Sequence, residues 1–218
     1  MPSPAPRPAD PALKTRPSAH PHLGAPATLK IVIGGGFGVG KTTAVGAVSE
    51  IDPLSTEEYL TEPGTGVDSL AGIASKETTT VAFDFGRLSL SDPVPLELFL
   101  FGMPGQDRFL NLWYDLSLGA VGAVVLVDTR RLEESFTPVA FFEELGLPFA
   151  VAINYFDGHR YHPEDVRRAL ALPLSVPVVN CDAREPSHVA GALLTLVGHA
   201  MRQVSTGTLH SNSSFQDA

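Results

Sequence analysis

The chain has one cysteine, Cys181, so it cannot close an internal disulfide, and no Cys/His spacing fits a zinc site. Its seven histidines are scattered; the close pair His159 and His162 reads as solvated loop residues. No apolar run approaches the length of a membrane span, and the N-terminus lacks the apolar core of a signal peptide. Pro2 stands where myristoylation needs glycine, and the last six residues hold no cysteine for prenylation. The expectation is a cytoplasmic protein with no direct membrane insertion, recruited peripherally only through a partner. Basic residues are in deficit, 15 Lys and Arg against 24 Asp and Glu, for a net charge of −9 and a pI near 5.1. That balance argues against nucleic acid as a partner, since such binding rests on clustered cations. A local positive site for a single nucleotide is still allowed.

What is present is enough for one folded unit: 218 residues, 44% hydrophobic. Residues 1–28 hold eight of the 19 prolines and three basic residues against one acidic, a composition expected to form an extended tail. Residues 29–203 carry the folding signals, and 204–218 form a second polar tail.

The stretch Gly34–Thr43, GGGFGVGKTT, follows an apolar run at Leu29–Ile33 and precedes a helix-capable segment from Lys41 to Ser49. Gly35, Gly40, Lys41 and Thr42 fit G-x-x-x-x-G-K-[ST] in the strand-to-helix setting the motif requires. Glycines let several backbone N–H groups converge on one point, and the helix adds the positive end of its dipole there. Gly35, Gly38, Val39, Gly40, Lys41, Thr42 and Thr43 are therefore expected to bind nucleotide phosphates. Lys41 reaches the β/γ-phosphates and Thr42 is a ligand for Mg²⁺.

From Asp52 to Thr80 the chain is rich in Thr, Glu, Gly and Ser and shows little periodicity, as disordered or functional segments do. Val81–Leu88 and Leu96–Phe101 read as an antiparallel hairpin, and 120–128, 149–154 and 176–180 as buried strands. Helices are expected at 136–145, from Pro163 to Leu170 and from Ser187 to Gln203. The alternation gives a three-layer α/β fold around a mostly parallel, six-stranded sheet with one antiparallel edge strand.

The order of phosphate loop, threonine before a strand, Pro104-Gly105-Gln106, Asn154-Tyr155-Phe156-Asp157 and Cys181-Asp182-Ala183-Arg184 resembles a Ras-like P-loop small GTPase. Within that superfamily it is most similar to the bacterial MglA-like group and to conservon-type ATP/GTP-binding proteins. The resemblance implies binding of GTP and GDP with Mg²⁺, slow hydrolysis and a switching role in bacterial signalling. It also implies a roadblock-type regulator and a sensor-kinase system as partners. Thr80 would complete the Mg²⁺ shell and sense the γ-phosphate, with the assignment open to Thr78 or Thr79; the alternative is three threonines opening a strand. The Gly105 N–H would meet the γ-phosphate and Gln106 would orient the attacking water. Asn154 and Asp157 would select guanine, against a plain Asx turn as the alternative. Asp182, Ala183 and Arg184 would line the base, with the Ala183 N–H on the guanine O6.

Three departures stand out. Gly102 occupies the place of the usual switch II aspartate, leaving Asp84 either as its substitute or as a solvent-facing strand residue. Tyr155 replaces the lysine that packs on the base. No arginine has a clear catalytic position; Arg87, Arg108, Arg130 and Arg131 lie nearest in sequence. The stretch Phe109–Tyr114 is either an interaction surface or a helix half buried on the sheet. An ATP-dependent P-loop kinase, or a nucleotide-stabilised interaction module with negligible turnover, are the other readings of the same loop.

Overall fold

The computed structural model describes residues 26–52, 54–61, 78–91, 95–156, 158 and 160–213, with 54–61, 78–82, 107 and 206–213 as backbone alone. The first strand, β1 (Ala27–Gly34), forms from an apolar run whose residues 31–34 are wholly buried. The phosphate loop then leads into α1 (Lys41–Val48). β2 (Leu54–Thr61), β3 (Thr78–Leu90) and β4 (Leu96–Gly102) follow, then α2 (Leu110–Ser117), β5 (Gly122–Val127) and α3 (Phe136–Leu145). The chain closes with β6 (Phe149–Asn154), α4 (Pro163–Ala169), β7 (Val178–Cys181) and α5 (Pro186–Ser213).

The strands form one sheet in the order β2-β3-β4-β1-β5-β6-β7. Five neighbouring strands, β4, β1, β5, β6 and β7, run parallel, while β3 pairs antiparallel with both β2 and β4. The α/β class is the expected one, with one addition: among the described residues the sheet has seven strands where six were expected, because residues 54–61 pair along β3 and become the edge. That segment, LSTEEYLT, is too polar to show apolar alternation, so its strand character comes from the partner it finds. β7 begins at Val178, two residues later than expected, because Pro177 has no N–H for the ladder; its carbonyl still accepts from the Val151 N–H at 2.8 Å. α5 continues to Ser213, past the boundary expected at Gln203, through a stretch without proline.

Alternation along the central strands splits the core into two layers. Ile31, Ile33, Val124, Leu126, Ala150 and Ala152 face α1 and α5, where they meet Ala44, Val45, Leu193 and Leu196. Val32, Ala123, Val125, Val127, Val151 and Ile153 face the other way, onto Trp113, Leu116, Val139 and Phe142. Burying a Leu, Ile or Phe side chain contributes about 1.5–3 kcal/mol, so these layers fix the strand ends that carry the site. In the sheet, β1 lies between β4 on one side and β5 on the other, so the strand order reverses direction there. The crevice outside the carboxyl end of β1 is thus the place where such sheets bind ligands.

Candidate functional site at the end of the first strand

Two glycines decide the shape of the phosphate loop. Gly35 has φ 132, and a Cβ there would lie 2.4 Å from the Leu126 carbonyl oxygen. Gly40, at the helix N-cap, has φ 102, and a Cβ would lie 2.7 Å from Asn154 Nδ2. Any side chain at either position meets both steric clash and a left-handed backbone. Val39 is buried and pins the loop to the core. Lys41 folds back over the loop, its Nζ donating to the Gly35 and Gly36 carbonyls at 2.8 and 2.7 Å. Burial lowers its pKa to about 8, against the opposing pull of the Asp84 and Glu134 carboxylates. Because the first α1 bond runs from the Ala44 N–H to Gly40 O, the N–H groups of Lys41, Thr42 and Thr43 fall in the turn that has no intrahelical acceptor.

Beside this cradle, Thr42 Oγ1 donates to Asp84 Oδ2 at 2.7 Å. Asp84 lies on β3 directly opposite Gly102 of β4, and a Cβ on Gly102 would come within 2.9 Å of Asp84 Oδ2. The space left by the missing side chain at 102 is therefore filled by a carboxylate from the neighbouring strand. Of the two readings open for Asp84, the one turned toward the site is observed. A hydroxyl and a carboxylate oxygen at the edge of a phosphate loop are the hard oxygen donors that Mg²⁺ takes. The Thr80 backbone lies inside β3, paired with Tyr59, so the threonine run is strand and not a preceding loop.

The Pro104-Gly105-Gln106 segment presses on the same point. A Cβ on Gly105 would lie 2.6 Å from Lys41 Nζ and 2.8 Å from both Gly36 O and Phe37 N. The segment is held from behind by Trp113, 2% exposed, whose indole N–H donates to the Pro104 carbonyl at 2.8 Å. Of the two readings of Phe109–Tyr114, the half-buried helix is observed: Phe109 and Trp113 are buried, Tyr114 is exposed. Gln106 sits next to Gly105 and caps the short 3₁₀ turn Asp107–Phe109 through its carbonyl, which accepts from Phe109 N–H.

On the other side, Asn154 ties three segments together. Its Nδ2 donates to Val39 O at 2.8 Å, and its Oδ1 accepts from the Ala183 N–H at 2.9 Å. The Ala183 N–H, expected on a base carbonyl, is thus engaged by Asn154. The exposed Arg184 guanidinium forms two hydrogen bonds to Asp182 at 2.9 and 2.8 Å. Those bonds hold the Asp182 carboxyl down to about 2. The Tyr155 ring carries the Arg160 guanidinium at 4.0 Å. Asp157 lies outside the described residues. A cavity of about 210 Å³ opens beside this loop, walled by Arg130, Tyr155, Phe156, Arg160, Tyr161 and His188 among others.

Sequence order alone did not distinguish the residues that follow β5. Asp128 is buried, and hydrogen bonds from Arg130 hold its carboxyl below the usual carboxylate range. Arg131 reaches across to the phosphate loop, donating to Phe37 O at 3.0 Å and to Glu134 at 2.9 Å.

Comparisons with known proteins agree with this architecture. The G-domain of FeoB from Methanococcus jannaschii superposes with a TM-score of 0.53 at 16% identity, covering 80% of this chain and 99% of that one. The cytosolic domain of the T. maritima FeoB iron transporter, in a GDP form, gives 0.58 at 17%, covering 81% and 65%. At such identities the likeness establishes the fold, a P-loop G-domain. Among curated proteins, none matches by sequence. Among the described residues, no helix is long and apolar enough to cross a membrane. The family described as "Conserved hypothetical ATP binding protein" matches residues 32–203, the span from β1 through most of α5, and the chain belongs to that family.

Proposed function

We propose that the chain is a small GTPase-type switch that binds GTP or GDP with Mg²⁺, hydrolyses GTP slowly, and acts in bacterial signalling from the cytoplasm. The observation that carries this reading is the convergence of Lys41, the Phe37 amide and Gly105 on one point, with the Thr42–Asp84 pair beside it. Lys41 and the loop amides hold the β- and γ-phosphates. Mg²⁺, when bound, would supply positive charge to those phosphates, with Thr42 and Asp84 as the protein groups that would hold it; Thr80, four residues along β3 from Asp84, would join them only if that end of the strand rearranged. The Gly105 N–H contacts the γ-phosphate and Gln106 orients water for in-line attack. Since Gly105 lies against Lys41, a terminal phosphate entering there must displace the 102–106 segment. That displacement links the ligand to a change of surface. By the MglA-like and conservon-type resemblance, a roadblock-type regulator reads that surface and a sensor-kinase system lies upstream.

A nucleotide-affinity series tests the reading: GTP, GDP, ATP and ADP, each with and without Mg²⁺. Guanine nucleotides are expected to bind more tightly, with Mg²⁺ favouring the triphosphate. Absence of binding by all four would end the proposal. The second reading is an ATP-binding protein on the same loop. It is favoured by the family's description and by Tyr155, already stacked with Arg160, where a guanine site has lysine. Preference for ATP in the same series would select it. If the Asp157 carboxylate reads the base, the wild type discriminates against xanthine nucleotides and Asp157→Asn loses that discrimination; unchanged discrimination in the variant would remove Asp157 from the base site.

A further inference from the structure

Phosphoryl transfer from a triphosphate is accelerated when a cation neutralises the charge spreading over the transferring group, and an arginine supplies it either from a partner or from the same chain. Of the four arginines near the switch segments, three are directed elsewhere. Arg87 lies between Glu50 and Glu97, three residues along β3 from Asp84. Arg108 stacks on Phe109. Arg130 is bound to Asp128 through two nitrogens and lies over the Phe156 ring at 3.9 Å.

Arg131 differs. The backbone at Arg131 leaves helical geometry (φ −140, ψ 55) within the 3₁₀ segment Thr129–Ser135. Its Nη2 donates to Phe37 O at 3.0 Å and lies 3.7 Å from where a Cβ of Gly38 would be. The Phe37 amide nitrogen faces the point shared by Lys41 and Gly105, while its carbonyl faces Arg131. One residue of the loop separates the guanidinium from the place of the terminal phosphate. Glu134 at 2.9 Å and Asp128 at 3.6 Å hold Arg131 there, and its side chain is only partly covered. Phe37 itself is 66% exposed at the loop tip.

We propose that Arg131 is the charge-stabilising arginine of this site, supplied within the chain. The inference rests on the hydrolytic reading above. In the step concerned, a water oxygen bonds to the terminal phosphorus. The bond to the bridging oxygen breaks, leaving its electron pair on the diphosphate. One water proton stays on the phosphate formed, and the other passes to a phosphate oxygen or to bulk water. The Arg131 guanidinium hydrogen-bonds the oxygens on which negative charge accumulates in between.

The test is single-turnover hydrolysis of GTP and of ATP by the wild type, Arg131→Lys and Arg131→Gln, with affinity for the matching diphosphate measured with and without fluoroaluminate. Glutamine keeps an N–H donor for Phe37 O but no charge. Arg131→Gln is expected to bind diphosphate within about threefold of wild type, to hydrolyse roughly 10³-fold more slowly, and to lose the fluoroaluminate-dependent tightening. Arg131→Lys should recover part of the rate. A Gln variant within tenfold of the wild-type rate overturns the assignment alone. A variant that also loses diphosphate affinity makes Arg131 a support of the loop and overturns it as well. A wild type that binds triphosphate but turns over neither nucleotide overturns the hydrolytic reading, and the arginine's role with it.

Discussion

At the scale of single residues, the site depends on an exchange between two strands: glycine at 102 and aspartate at 84, cross-strand neighbours in a hairpin whose Leu90 pairs with Leu96. Counting outward from that pair places 84 opposite 102, so the substitute carboxylate was legible from register once the turn was located. Gly102→Asp alone would put a Cβ 2.9 Å from Asp84 Oδ2 and a second negative charge beside the first, and we expect a loss of roughly 1–3 kcal/mol in urea unfolding. The double variant Asp84→Gly/Gly102→Asp should regain most of that loss and keep Mg²⁺-dependent triphosphate affinity, while Asp84→Ala loses the Mg²⁺ dependence. Lys41 sets the pH response. Its pKa of about 8 in the free protein must rise when phosphates surround it, so binding above pH 8 takes up a proton. Triphosphate affinity measured by calorimetry should therefore be level below pH 7.5 and fall by up to tenfold per unit above 8; no fall up to pH 9.5 would remove the ammonium from the phosphate contact.

At the scale of elements, α2 is what connects the switch segment to the core. The Trp113 ring packs edge-on against Phe141 at 5.3 Å while its N–H holds the Pro104 carbonyl. Trp113→Phe keeps most of the packing and leaves that carbonyl without its donor, a change expected to destabilise by about 1–3 kcal/mol. Trp113 is also the only tryptophan in the sequence. Its emission should shift on adding Mg²⁺ with triphosphate and much less with diphosphate; identical spectra for the two would mean that the 102–106 segment does not respond to the terminal phosphate. Elements with all-buried strand patterns, β5 and β6, were readable as apolar runs, and α3 as apolar spacing. The polar β2 was not, because an edge strand gains its conformation from pairing with β3 and has no buried pattern of its own.

For the whole molecule, the ligand couples to global stability because the groups proposed to hold it come from β1, α1, β3 and β6. Asn154 joins the loop after β1 to the loop after β7 within a single side chain. A nucleotide at a hundred times its Kd should stabilise the fold by about 2.7 kcal/mol, or roughly 5–10 °C in Tm for a protein of this size. Thermal unfolding with each nucleotide would show it, and chelation of Mg²⁺ should reverse most of the triphosphate's share. A Tm unmoved by all four nucleotides would contradict binding at this crevice.

The sequence by itself determined the strand-loop-helix unit at Leu29–Ser49 and the alternation of buried strands with helices. Local backbone demands at Gly35 and Gly40, and apolar runs that can only be buried, are properties of short stretches of chain. Only the tertiary structure decided that Asp84 meets Thr42, that Asn154 takes the Ala183 N–H, and that Arg131 lies on the phosphate loop. Each of those contacts spans 29 to 94 positions of sequence, and their partners meet only because the sheet brings the ends of separate strands to one edge.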